Sequence, residues 1–229
     1  MTESARPRRG SFGRAFASSA LGTGLSRGLG AAREIAVAAI LGASITSDVF
    51  LTAFLIPNLF RRFVADEGLT GALLPALAKA EAEGGEEEAR QLAASTLGVL
   101  LVVNGILCVM GMVGAKWLVL VFAPTWHDDP VKMALAIDLT RWLFPFLTMV
   151  SLVSHFEALL NHRGHFFVPK AAPGLVSGGM VASALLLGDV LNEPVYALVA
   201  GVLVGGVAHV LVHLPFVWSH WGPIGLSLP

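Results

Sequence analysis

The sequence predicts an all-α polytopic membrane protein with six transmembrane helices. Three observations carry this. Only 14% of the 229 residues are charged while 55% are hydrophobic, where a soluble domain carries about 25% charged residues. Apolar runs of about twenty residues recur along the chain, each long enough to cross about 30 Å of hydrocarbon as a helix. Lysines and arginines fall mainly in alternate joins between those runs, which is the charge asymmetry of a multi-pass protein.

The elements follow in order. A basic tail (residues 1–13, with Arg6, Arg8 and Arg9) leads into helix 1, predicted over 14–42 and ended by Gly42-Ala43. Arg8-Arg9 loosely resembles a twin-arginine export signal. The next apolar run is interrupted by Arg27, Arg33 and Glu34 and further spans follow, so the tail reads as cytoplasmic. Helix 2 is predicted over 47–80, kinked at Pro57, with Asp66-Glu67-Gly68 as an internal break. Glu81 to Arg90 is rich in glutamate and reads as a solvated loop around Gly84-Gly85. Helix 3 spans 90–123, helix 4 133–161, helix 5 167–188 and helix 6 193–219. Their joins carry turn chemistry at Pro124 to Pro130, Asn161 to Gly164 and Asn192-Glu193-Pro194. The six-helix region is expected over 14–220, with 221–229 as a cytoplasmic end and a truncation point.

Orientation follows from the basic residues. Arg6, Arg8, Arg9, Arg14, Lys79, Arg90, Arg163 and Lys170 fall on one side, Lys132 and Lys116 on the other. Both termini are therefore expected in the cytoplasm. With a formal net charge of −1, nothing points to nucleic acid as a partner. Gly24-x-x-x-Gly28, Gly174-x-x-x-Gly178 and Gly201-x-x-x-Gly205 have the spacing that lets helix backbones approach closely in lipid.

The informative residues are the charges inside the apolar runs. Arg27, Arg33 and Glu34 lie in helix 1, Arg61 and Arg62 in helix 2, and Asp138 and Arg141 in helix 4. An arginine at mid-membrane costs about 2.5–3.5 kcal/mol on insertion scales. Such groups must pair, snorkel to the headgroups or face a wet cavity. At about 1.5 Å rise per residue, Arg27 sits about 15 Å from the cytoplasmic side. Arg61 sits about 10 Å from it in a core about 30 Å thick. Antiparallel helices 1 and 2 thus bring their arginines to similar depths, where several guanidiniums can bracket one polyanion. Arginine suits this because its planar fork binds phosphate bidentately and stays charged. Glu34, seven residues after Arg27, shares its helix face and can hold an arginine when no anion is bound.

Three other motifs lead to no chemistry. Gly24-Leu25-Ser26-Arg27-Gly28 matches the G-x-S-x-G string but lies in a helix, not a strand-turn-helix elbow. His209 and His213 have helical metal-ligand spacing, but the sequence shows no third ligand, and the pair reads as packing or interfacial hydrogen bonding. The single cysteine, Cys108, reads as a small buried hydrophobe. No metal, cofactor or catalytic constellation is expected. His162 and His165 are expected to face headgroups, and Trp117, Trp126, Trp142, Trp218 and Trp221 to form an interfacial belt.

At the arginines the sequence resembles a known family. Ser26-Arg27-Gly28-Leu29-Gly30-Ala31-Ala32-Arg33-Glu34, Ser47-Asp48, and Ile56-Pro57-Asn58-Leu59-Phe60-Arg61-Arg62-Phe63 resemble the lipid II flippase MurJ (MviN) family. Leu74-Pro75, Ala123-Pro124, Phe144-Pro145 and Val168-Pro169 continue the resemblance, which covers roughly 15–220. It implies one lobe, the first, of a two-lobed transporter of the multidrug/oligosaccharidyl-lipid/polysaccharide (MOP) superfamily. It implies a bacterial cytoplasmic-membrane protein that moves lipid II, an undecaprenyl-pyrophosphate-linked peptidoglycan precursor, from the inner to the outer leaflet. The cavity arginines of the family fall on Arg27, Arg33 and Arg61, with Arg62 beside them. Ser26, Glu34 and Asp48 take supporting positions. Membrane lipids and the remaining C-terminal lobe are the other implied partners. The sequence departs from the family pattern at Val64 to Gly68 and at Glu157, where a small or apolar residue is expected. The rival readings are an exporter of another polyprenyl-pyrophosphate-linked oligosaccharide, and a membrane scaffold that transports nothing.

Overall fold

Arg9–Leu41 forms the first helix, α1, and every further element among the described residues is also helical. The computed structural model describes residues 9–42, 44–61, 70–188, 190–191 and 193–225. Helix α2 covers Ile45–Arg61 and α3 covers Thr70–Val113, with a break at Gly85. Then come α4 (Ala115–Phe122), a 3-10 turn (Pro124–Asp128), α5 (Pro130–His162), α6 (Phe167–Ala171), α7 (Gly174–Leu187) and α8 (Val195–Trp221). The protein is an all-α polytopic membrane protein. Gly71–Val113, α5 and α8 are each long and apolar enough to span a membrane. The apolar α7 is shorter, 14 residues or about 21 Å long.

Local chemistry explains the boundaries. Gly42 closes α1 at φ 57, with its N–H bonded to the Ala38 carbonyl at 2.9 Å, a left-handed cap that glycine adopts without a Cβ clash. Asp129 caps α5 by accepting from the Lys132 N–H at 3.0 Å, and Pro130 follows at the first helical position. The start of α5 is thus three residues earlier than expected. Predicted helix 5 is two helices, because Pro173 lacks the N–H that would continue α6. Predicted helix 3 breaks at Gly114 into α3 and α4. The glutamate-rich stretch is helical rather than a loop, except at Gly85 (φ 79), since alanine and glutamate are strong helix formers. Asp66-Glu67-Gly68 lies outside the described residues.

Helix α5 is the central element. In its apolar span 72% of the residues are buried, against 28% in that of α3. Leu139, Leu143, Phe144 and Leu147 of α5 are buried against Val49, Phe50, Ala53 and Ile56 of α2 and against Leu198 and Val202 of α8. On α3, Val99, Val102, Ile106, Val109 and Val113 are exposed, as a lipid-facing stripe requires. A second core at the other end joins Leu73, Leu77 and Leu97 of α3 to Phe156, Leu159 and Leu160 of α5 and Trp221 of α8.

Helices α7 and α8 cross where glycines remove side chains. A Cβ on Gly179 would lie 2.6 Å from the Gly201 carbonyl oxygen, and one on Gly205 would lie 2.7 Å from Val176 Cα. The Gly201–Gly205 pair therefore packs as expected. Gly174 meets Leu29 and Ser26 of α1, whereas Gly178, Gly24 and Gly28 face nothing within 4 Å. It is Gly22, not Gly24 or Gly28, that brings α1 close to Lys170 and Ala171.

Two further expectations change. His162 closes α5 and pairs with Glu81, and His165 faces His220 with ring centroids 3.9 Å apart. Trp117, Trp142 and Trp218 are exposed, but Trp221 is buried and donates Nε1–H to the Leu159 carbonyl at 3.1 Å.

Candidate functional site

A cavity of about 480 Å³ opens between α1 and α2. It exists because these two helices barely touch. Helix α1 docks on α6 and α7, α2 docks on α5, and the gap between them is floored by α5, α7 and α8. Helices 1 and 2 face each other across this hollow rather than packing side by side.

Among the described residues four cations line it: Arg27 and Arg33 from α1, Arg61 from α2 and Lys170 from α6. Arg27 and Lys170 are exposed, while Arg33 and Arg61 are half-buried. The structure thus brings Arg27, Arg33 and Arg61 to one cavity; Arg62 lies outside the described residues. Arg27 and Arg33 stand six residues apart, about 1.7 helical turns, so they reach the cavity from positions roughly 120° apart around α1. Polar groups complete the walls: Ser26 and Thr23 of α1, Asn58 of α2, and Ser154 and Ser177. Thr23 Oγ1 donates to the Ser19 carbonyl at 2.9 Å, and Asn58 Nδ2 donates to the Phe54 carbonyl at 2.9 Å. Both side chains are thereby held against their own helices, with acceptor lone pairs remaining.

The acidic positions divide differently from the sequence expectation. Glu34 is exposed and pairs with Arg33, its chain neighbour, from outside the cavity wall. Asp48 is exposed in the first turn of α2, where it complements the positive end of the helix dipole. Among the described residues the carboxylate in the wall is Glu157 of α5, the residue that stands out from the family pattern. Lys170 and Glu157 were not among the predicted site residues. The signal for Lys170 was a charged residue close to an apolar run; Glu157 was also marked by its departure from the family pattern.

The other intramembrane charges are satisfied elsewhere. Asp138 Oδ2 accepts from Tyr196 Oη–H at 2.7 Å, and Arg141 Nε–H donates to the Met112 carbonyl at 3.3 Å. These bonds tie α5 to α8 and α3.

A hollow with three arginines and a lysine, one carboxylate and a rim of hydroxyls suits an anion with several oxygens. Fold and site together define a class: a polytopic helical membrane protein with a cation-lined cavity between its helices. Within it, the chain belongs to the family described as lipid II flippase MurJ, whose model matches residues 37–224. Arg61 lies in that stretch, and Arg27 and Arg33 just ahead of it.

Similar proteins bear the same name. The chain is 38% identical over 191 residues to the lipid II flippase MurJ of Burkholderia cenocepacia, covering 83% of this chain and 37% of the relative. It is 33% identical over 199 residues to the probable lipid II flippase MurJ of Haemophilus influenzae (84% and 39%), and equally to that of Vibrio cholerae (84% and 38%). The chain therefore spans about two fifths of the length of these relatives.

Proposed function

We propose that this chain is the N-terminal lobe of a lipid II flippase and holds the diphosphate of the lipid-linked precursor while it moves from the inner to the outer leaflet. The observation that carries this is the convergence of Arg27, Arg33 and Arg61, from two helices that scarcely touch, on one cavity. Placing arginines in a membrane-embedded wall is costly, and a polyanion offsets that cost where snorkelling would not bring them together. The sign of the cavity favours an anionic substrate over a cationic drug. The cycle is alternating access, in which the cavity accepts the headgroup from the cytoplasmic side and rocking against a second lobe exposes it outward. The placement of basic residues supports a bacterial cytoplasmic-membrane orientation with both termini inside. The partners are lipid II, the surrounding lipids and a C-terminal lobe like that in the longer relatives.

The test has two arms. In a full-length flippase carrying this lobe, Arg27→Ala with Arg33→Ala should abolish growth of a flippase-depleted strain at normal expression. In nanodiscs, the chain should retain undecaprenyl diphosphate by native mass spectrometry, and Arg61→Ala should weaken retention at least tenfold. Unimpaired growth with the double change, together with unchanged lipid retention, would refute the reading. Retention of the diphosphate lipid by the wild-type chain with Arg27→Lys fully active would favour mere charge over bidentate capture.

A further inference from the structure

A second cluster adjoins the arginine-lined cavity, sharing two of its wall residues. Glu157 of α5 and His209 and His213 of α8 each bring one donor atom into a group whose members all lie within 4.8 Å of one another. The sequence showed only the histidine pair; the fold supplies the third donor from a different helix.

The histidines are prepared as ligands. They stand four residues apart, so both project from one face of α8, and their ring centroids are 5.3 Å apart. His213 Nδ1 lies 2.8 Å from the His209 carbonyl oxygen. A carbonyl only accepts, so Nδ1 carries the proton and Nε2 keeps its lone pair. That Nε2 is buried and has no hydrogen-bond partner. A ring whose distal N–H is held by a backbone carbonyl is the usual arrangement of a metal-binding histidine. His209 is 5% exposed and neither of its ring nitrogens has a hydrogen-bond partner. Buried polar atoms left in this way are uncommon and costly.

We propose that Glu157, His209 and His213 form a zinc-class divalent metal site that opens on the cation-lined cavity. Two imidazoles and a carboxylate suit Zn²⁺ and similar first-row ions, whereas Mg²⁺ and Ca²⁺ prefer all-oxygen shells. Tetrahedral coordination leaves one position after the three protein donors. Glu157 and His209 both line the main cavity, so that position faces it. Arg27, Arg33, Arg61 and Lys170 oppose a bare cation there; the Glu157 carboxylate offsets part of their field, and an anionic oxygen drawn in by them completes the shell.

The experiment uses the 229-residue chain in nanodiscs of neutral lipid, stripped with a chelator and then titrated with metal alone. Co²⁺ serves as the optical probe and Zn²⁺ is measured by competition with a chromogenic chelator. The wild-type chain should hold a single ion with the intense visible absorption of tetrahedral Co²⁺, and Zn²⁺ should raise its melting temperature. His209→Gln, His213→Gln and Glu157→Gln should each weaken binding at least about tenfold and remove the thermal shift. Helical circular dichroism of the metal-free forms checks folding. Glu157→Gln, which changes one atom on a half-buried residue, carries the test should a histidine variant misfold. His165→Ala with His220→Ala, at the other close histidine pair, should leave binding intact. Binding no tighter in the wild type than in Glu157→Gln, or binding lost with the His165/His220 change instead, would overturn the proposal.

Discussion

Arg163 lays its guanidinium over the indole of Trp221, 4.6 Å from the ring centroid, at the point where the ends of α5 and α8 meet. The same guanidinium donates to Glu81 Oε1 at 3.1 Å and to Glu86 Oε1 at 2.7 Å, and His162 pairs with Glu81. One side chain therefore fastens α3, on both sides of its Gly85 break, to α5 and α8. Arg163→Ala should lower stability by about 1–2 kcal/mol, as a partly exposed network with a cation–π contact would. Arg163→Lys should recover only part, since an ammonium cannot fork to two carboxylates while stacking. Thermal unfolding in detergent, with Glu81→Gln to close a double-mutant cycle, measures both.

Within the membrane the link between α3 and α5 is polar. Ser151 Oγ–H donates to Asn104 Oδ1 at 2.8 Å, while Asn104 Nδ2 donates to the Leu100 carbonyl, and both residues are buried. Ser151→Ala should cost about 0.6 kcal/mol, the average for interhelical hydrogen bonds in lipid. A cost above about 2 kcal/mol in an unfolding titration would mean that the pair does more than join two helices.

The glycines sort by what faces them. Gly205→Leu and Gly179→Leu should separate α7 from α8 and lower the yield of folded protein, because added atoms meet backbone rather than movable side chains. Gly24→Ala and Gly28→Ala should leave yield unchanged or slightly higher, since open space faces both and alanine gains about 1 kcal/mol of helix propensity. Size-exclusion profiles of the four variants in detergent decide it.

The loop after α5 gives a pH dependence. Partial burial, and then the charge of His220, hold the His165 imidazole below its ordinary pKa in the folded state. The unfolded chain therefore binds this proton more readily, and stability from this group is lost as pH falls below about 6.5. Melting temperature should drop more between about pH 7.5 and 5.5 in the wild type than in His165→Gln. Equal drops would show that the His165–His220 contact carries no linkage.

Much of this was legible along the chain. The apolar runs, Gly42 and the Pro124 to Pro130 turn act within a turn or two of their own positions, so these helices and joins can be read locally, whereas the break at Pro173 was not anticipated. The arginines were legible because a charge in an apolar run always demands an explanation. Less legible were Lys170, which lies at the end of a short helix, and Glu157, which stood out from the family pattern but showed no partner along the chain. The glycine spacing was ambiguous by one residue, since rotating α7 by one position exchanges Gly178 for Gly179 at the α8 contact.

By itself the sequence determined that the chain is helical, membrane-embedded and furnished with arginines in its apolar runs, because lipid forces each segment to satisfy its own backbone and exposes every misplaced charge. The tertiary structure alone decided that α1 and α2 stand apart rather than side by side, and that Glu157 meets His209 and His213. Those outcomes depend on how each helix is rotated about its axis and which neighbour it docks on, and that is settled by packing among segments distant in the chain.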